Sequence, residues 1–138
     1  MRNSAMPWIK ELARRLVEHE ASALPTDQLS AAFRVCETLG QQLSQFVGVA
    51  GFRSLLSRAL VLSQGQARWL KAVHVAADGS LEGLEDAQAN LTQDDMTDGE
   101  ILLVANLIGL LVTFIGEDLT LRLILEAWQD HGFEDLHL

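Results

Sequence analysis

The feature that most constrains this chain is an apolar run of 15 residues, from Ile101 to Ile115, that directly follows a dense acidic cluster. Such a run can be a membrane span, half of a metal-binding loop or the middle helix of a core. A bilayer span needs about 20 apolar residues, and both flanks of this run are acidic and lack Lys/Arg anchors. We therefore expect a central apolar helix over 98–115, surrounded by other helices.

The acidic cluster has a structural explanation as the start of that helix. Thr97 and Glu100 have the spacing of a capping box, in which each side chain accepts a hydrogen bond from a backbone N–H of the first turn. The aspartates of the same segment place negative charge where the helix dipole favours it. Further along, Ala105 and Gly109 are four residues apart and would let another helix approach closely.

Hydrophobic periodicity predicts helices through most of the remaining chain. The two prolines both lie near the N-terminus, so the strongest helix breaker is absent from the rest. Helices are predicted after Pro7, after Thr26 or Asp27, after the glycine-containing segment 48–51, and from Glu117.

One segment, near residues 69–83, breaks the helical pattern. It contains strand-forming residues and the turn pair Asp78-Gly79, which predict a short β-hairpin. The expected fold class is therefore mostly all-α: a compact bundle of about five helices with one short hairpin. Its length is typical of one domain, so we expect residues 1–138 to form a single helical domain.

The charge is unevenly distributed along the sequence. The formal net charge is −9, yet residues 1–77 carry +4 and residues 78–138 carry −13. Two interpretations stay open: the halves attract each other within one fold, or a basic face meets an acidic face of another chain. There is no Lys/Arg stripe interleaved with aromatics, which argues against a nucleic-acid partner.

The only cysteine, Cys36, falls in the apolar stripe of the second predicted helix, so we expect a buried, unreactive thiol. A single cysteine allows no disulfide within the chain, and the N-terminus lacks the apolar region of a signal peptide. The expected location is the cytoplasm.

Few residues suggest a binding site. Asn106 is the polar exception in the apolar run, and it predicts a satisfied core hydrogen bond, a register device at an oligomer seam or, with Trp128, a ligand contact. His131, Glu134, Asp135 and His137 are weak metal-ligand candidates in a terminal segment. Two segments with partial resemblance to calcium loops, 74–85 and 94–105, each lack about half of the required oxygen ligands.

No catalytic signature is present, so no catalytic residue, enzyme activity or cofactor is predicted. The leading hypothesis is a non-enzymatic protein-interaction or regulatory module that self-associates. The alternative is a binder of a small apolar or metabolite ligand between helices. The expected partners are a second copy of the chain or another protein, with no nucleic acid and no membrane span.

Overall fold

The computed structural model describes residues 7–23, 31–77, 79, 81–83 and 91–128. Within these residues the chain forms four helices: α1 (Pro7–Ala23), α2 (Ala31–Gln64), α3 (Gln93–Ile115) and α4 (Glu117–Trp128). Between α2 and α3 lie a 3-10 helix (Arg68–Ala72) and a hairpin of two strands, β1 (His74–Val75) and β2 (Leu81–Glu82). The predicted mostly helical fold with one short hairpin is confirmed.

The described residues form four helices, not the five expected, because the second and third predicted helices are one helix, α2, with a bend at Gly48. Gly48 has φ 80° and ψ 164°, which interrupts the helical backbone of α2 and suits glycine because it lacks a Cβ. The bend falls within the predicted break at 48–51. A Cβ added at Gly40 would lie 2.8 Å from the Phe52 ring, so the two segments of α2 pack against each other across the bend.

The hairpin is short and depends on its neighbours. His74 pairs with Glu82 and Val75 with Leu81 in antiparallel register. A hairpin this small is marginal by itself in water. Arg53 of α2 donates from Nη1 to the Ala77 carbonyl at 3.2 Å, which attaches the hairpin to the helices.

The start of α3 differs from the prediction. The helix begins at Gln93, and Thr92 is its N-cap: the Thr92 hydroxyl accepts a hydrogen bond from the Asp95 backbone N–H at 3.1 Å. The predicted cap at Thr97 is therefore wrong, because Thr92 offers the same capping chemistry one and a half turns earlier. The acidic residues Asp94 and Asp95 do lie in the first turn, as the helix dipole favours.

The core forms where α3 packs against α1, α2 and α4. One side of α3 is fully buried there, including Leu103, Val104, Leu107 and Ile108 at 0% exposure. The opposite side is half-exposed or exposed from Leu102 to Thr113. The expectation that other helices surround α3 is thus wrong for one side of the helix.

The exclusion of a membrane span is also wrong. Two helices within the described residues, Ala31–Gln64 and Asp94–Ile115, are long and apolar enough to cross a membrane. The prediction counted only the 15 apolar residues of the run, whereas the 22 residues from Asp94 extend roughly 33 Å at the rise of an α-helix. A mostly buried core helix meets the same criteria. The cytoplasmic location stays a prediction.

Candidate functional site

Asn106, the first predicted binding residue, connects α3 to α2. Its Nδ2 donates to the Ser63 hydroxyl at 2.9 Å, and that hydroxyl donates to the Ala59 carbonyl at 2.8 Å. Ser63 is fully buried, whereas Asn106 is half-buried on the open side of α3. The amide therefore has a protein partner, as expected for a satisfied core hydrogen bond. Ser63 had no part in the sequence analysis, because a serine next to a helix end carries no distinguishing signal.

Trp128, the second predicted binding residue, connects α4 to α1. Its ring is fully buried, and its Nε1 donates to Glu20 Oε2 at 2.9 Å. Glu20 is itself 5% exposed. Asn106 and Trp128 thus bond to different helices. Neither residue lines the cavities that lie beside α1, α2 and α3 in the described part of the chain. A ligand site formed by these two residues stays a prediction.

The metal-ligand candidates His131, Glu134, Asp135 and His137 lie outside the described residues. Within 7–23, 31–77, 79, 81–83 and 91–128, no three His, Cys, Asp or Glu side chains are grouped so as to hold a metal ion.

A cavity of about 550 Å³ lies beside the first turns of α3. Its lining carries charges of both signs, Lys10 and Arg68 against Asp95 and Asp98. The Trp69 ring packs at its edge, so tightly that a Cβ at Gly99 would lie 2.5 Å from Trp69 Nε1. That indole N–H is buried and has no hydrogen-bond partner. Gly99 is therefore a packing position between α3 and the 3-10 helix.

A smaller cavity of about 330 Å³ lies between the two segments of α2 and is lined in part by Cys36 and Phe52. Cys36 is 2% exposed, and burial raises the pKa of its thiol to about 12. Because the thiolate is the reactive form, this cysteine is unsuited to nucleophilic chemistry at neutral pH. The prediction of a buried thiol is confirmed.

The open side of α3 forms a surface, hereafter the α3 face, defined by Ala105, Asn106, Gly109 and Thr113. Phe114 follows at the end of the helix, about 100° around it from Thr113. A Cβ built at Gly109 meets no atom within 4 Å, so nothing in the described structure covers this position. The Phe114 side chain is 61% exposed. In the sequence, the α3 face was indicated by the small pair Ala105 and Gly109, which predicted the close approach of another helix. The pair did not indicate that the described fold would leave this position uncovered.

A second apolar surface lies on α2. Phe46, Val49, Val61 and Leu62 are 62%, 52%, 66% and 46% exposed. On the second segment of α2, the inward residues predicted from helical spacing are Phe52, Leu55, Leu56, Ala59 and Leu60. All of these are buried except Leu55, which is half-buried, and Arg53 and Arg58 are exposed as expected. The sequence analysis did not identify the outward apolar residues Val61 and Leu62.

Comparisons with protein-family models, with curated proteins and with solved structures found no match to this chain.

Proposed function

We propose that this chain is a non-enzymatic protein-interaction module that self-associates through the α3 face. The observation that carries the proposal is the open space at Gly109, on a helix that ends with a largely exposed Phe114. Large exposed apolar side chains beside an uncovered helix surface are typical of interaction sites.

The side chains of this face allow a close approach of a second helix. Ala105, Gly109 and Thr113 recur every four residues, so they lie along one line of the helix surface. Small residues on such a line let two helix backbones come into close contact. The Thr113 hydroxyl donates to the Gly109 carbonyl at 3.1 Å within α3. Its hydrogen bond is thereby satisfied locally, which leaves the methyl group available for an apolar contact.

Phe114 adds exposed apolar area at the same end of the helix, about 100° around it from Thr113. Complete burial of a phenylalanine side chain is worth about 1.5–3 kcal/mol. In a two-fold symmetric dimer both copies contribute the same surface, so Phe114 becomes buried in each of them. Asn106, on the same face, is placed to fix the register of the two helices, which is a known role of a single polar residue in an apolar seam.

The small-ligand alternative has less support from the geometry. It would place a ligand against Asn106 and Trp128, and both side chains already bond to protein groups, Ser63 and Glu20.

Sedimentation equilibrium over a range of protein concentrations tests the proposal. We expect the wild-type chain to form a dimer or a larger assembly and Gly109→Glu to be monomeric, because a charged side chain would separate the two helices. The open space at Gly109 means that this substitution leaves the fold of the monomer intact, which circular dichroism checks. Phe114→Ser should weaken the assembly in the same direction.

Ala21→Glu is the matched control, because Ala21 is an exposed small residue on α1, away from the α3 face. It should assemble like the wild type. A wild-type chain that is monomeric at every concentration, or a Gly109→Glu variant that assembles normally, would contradict the proposal.

A further inference from the structure

Exposed apolar side chains are concentrated on α2. Of the five large apolar side chains that the described residues expose, four belong to this helix: Phe46, Val49, Val61 and Leu62. Only 28% of an apolar 18-residue window of α2 is buried, against 50% for the corresponding window of α3. The fold therefore leaves four large apolar side chains of α2 exposed, although most of the others on this helix are buried.

The charge of the same region is entirely positive. Residues 38–77 contain no Asp or Glu, while they contain Arg53, Arg58, Arg68 and Lys71. All four basic side chains are exposed. In a chain with a net charge of −9, this segment is thus a local basic surface, and charges act locally because salt screens them over about 8–10 Å.

The second segment of α2 combines the two properties on one side. Its outward line consists of small or apolar residues at helical spacing, namely Ala50, Ser54, Ser57 and Val61, all exposed. Arg53 and Arg58 are five residues apart, which at 3.6 residues per turn places them about 140° apart, on either side of that line. A strip of small and apolar residues with an arginine on each flank suits a helix that lies at a membrane interface.

The bend adds apolar side chains at one end of this strip. Phe46 and Val49 lie on either side of Gly48, and a Cβ at Gly48 would meet nothing within 4 Å. The bend therefore carries two exposed apolar side chains, of which Val49 also lines the cavity between the two segments of α2.

We propose that this surface, the α2 face (Phe46, Val49, Arg53, Arg58 and Val61), binds an anionic lipid bilayer from one side. Phe46 and Val49 enter the headgroup region at the bend. Arg58 contacts lipid phosphates, and its long apolar stem lies along the boundary with the acyl chains. Arg53, which donates to the Ala77 carbonyl, adds positive charge beside it. The negative surface of an anionic leaflet attracts basic residues held next to it.

Flotation of the purified full chain with lipid vesicles tests this. We expect binding to vesicles of phosphatidylcholine mixed with phosphatidylserine, weakened by added salt, and far less binding to phosphatidylcholine alone. Arg58→Glu should lower the partition coefficient about 30-fold, since each basic residue at such a surface is worth about fivefold and the reversal changes two charges. Phe46→Ser should lower it about tenfold.

A matched control lies outside both proposed surfaces. Arg122→Glu reverses an exposed arginine on α4 and should float like the wild type. Phe46 lies outside the α3 face, so Phe46→Ser should assemble like the wild type, and the two proposals can fail independently.

The proposal is overturned by any of three results. The first is no binding to either type of vesicle, and the second is binding that Arg58→Glu and Phe46→Ser leave unchanged. The third is binding that resists extraction by high salt and alkaline carbonate, because such binding would indicate a membrane-spanning helix instead of an interfacial surface.

Discussion

The two apolar helices α2 and α3 have similar side chains and different environments. In α3, half of an apolar window is buried, one complete side of the helix contacts the other helices, and acidic residues begin it. In α2, the helix bends at Gly48, only 28% of its window is buried, and its charged residues beyond Glu37 are all basic. Apolar composition alone therefore does not identify the core helix.

The charged residues distinguish the two helices better than the apolar ones do. The acidic side chains of α3 are confined to its first two turns, where they stabilise the helix start and leave the rest for packing. The arginines of α2 flank its outward line along the second segment, where they keep that side in contact with water or with an anionic surface. The predictions below test this contrast between a packing helix and a surface helix.

The largest expected effect is the loss of a core side chain from α3. Leu107 is 0% exposed, so Leu107→Ala should lower the free energy of unfolding by about 2–5 kcal/mol through lost burial and a cavity. Leu62→Ala is the matched control on α2, where the side chain is 46% exposed and the loss should stay under about 1 kcal/mol. Urea denaturation at one fixed protein concentration measures both. Equal losses would remove the contrast between the helices.

The same substitution should have opposite effects at two glycines of α3. A Cβ at Gly99 would lie 2.5–2.7 Å from three atoms of the Trp69 ring, so Gly99→Ala should destabilise by about 1–3 kcal/mol through overpacking. A Cβ at Gly109 meets nothing within 4 Å, so Gly109→Ala should stabilise by up to about 1 kcal/mol through helix propensity.

Thermal melting of the two alanine variants gives the sign directly. If Gly99→Ala melts at or above the wild-type temperature, the Trp69 ring can move aside and Gly99 is not a close packing position.

A smaller effect is expected from Asn106→Leu. The variant loses the hydrogen bond to Ser63, which is worth about 0.5–1.5 kcal/mol, and the fold should persist because Ser63 still donates to the Ala59 carbonyl. Leucine would enlarge the apolar area of the α3 face and would remove the polar side chain that we propose fixes the register of the two helices. We expect an altered assembly state by sedimentation. Unchanged assembly and unchanged ligand retention would remove Asn106 from the functional account.

The smallest expected effect is at Cys36, which should not react with a thiol reagent in the folded protein. With a pKa of about 12, the thiolate fraction at pH 7 is on the order of 10⁻⁵, and the side chain is buried as well. A colorimetric thiol assay should show modification only after denaturant is added. Rapid labelling of the native chain would mean that the first segment of α2 opens or faces the other way.

Much of the local structure follows from particular residues of the sequence. Pro7 is the first residue of α1 and Glu117 the first of α4, both as predicted. The bend of α2 lies at a glycine that the sequence marked as a break, because only a residue without a Cβ adopts its φ easily. Helix starts and breaks depend on a few neighbouring residues, so these were predicted locally, whereas the start of α3 was misassigned because two threonines could cap it.

The candidate sites were predicted less well, because they depend on residues distant in the sequence. Ser63 bonds to Asn106 across 43 positions, and Glu20 bonds to Trp128 across 108. No periodicity identifies such partners. The same limit applies to α3: its apolar pattern indicated burial on every side, and the arrangement of α1, α2 and α4 covers only one.

The sequence by itself determined that this chain is mostly helical, where α1 and α4 begin and α2 bends, and that its charge is uneven, since these depend on side-chain chemistry and short-range spacing. Only the tertiary structure decided which apolar residues are buried. The three helices packed against α3 cover one side of it, so Leu107 enters the core while Gly109 and Phe114 stay accessible, and the bend at Gly48 leaves Phe46 and Val49 on the surface.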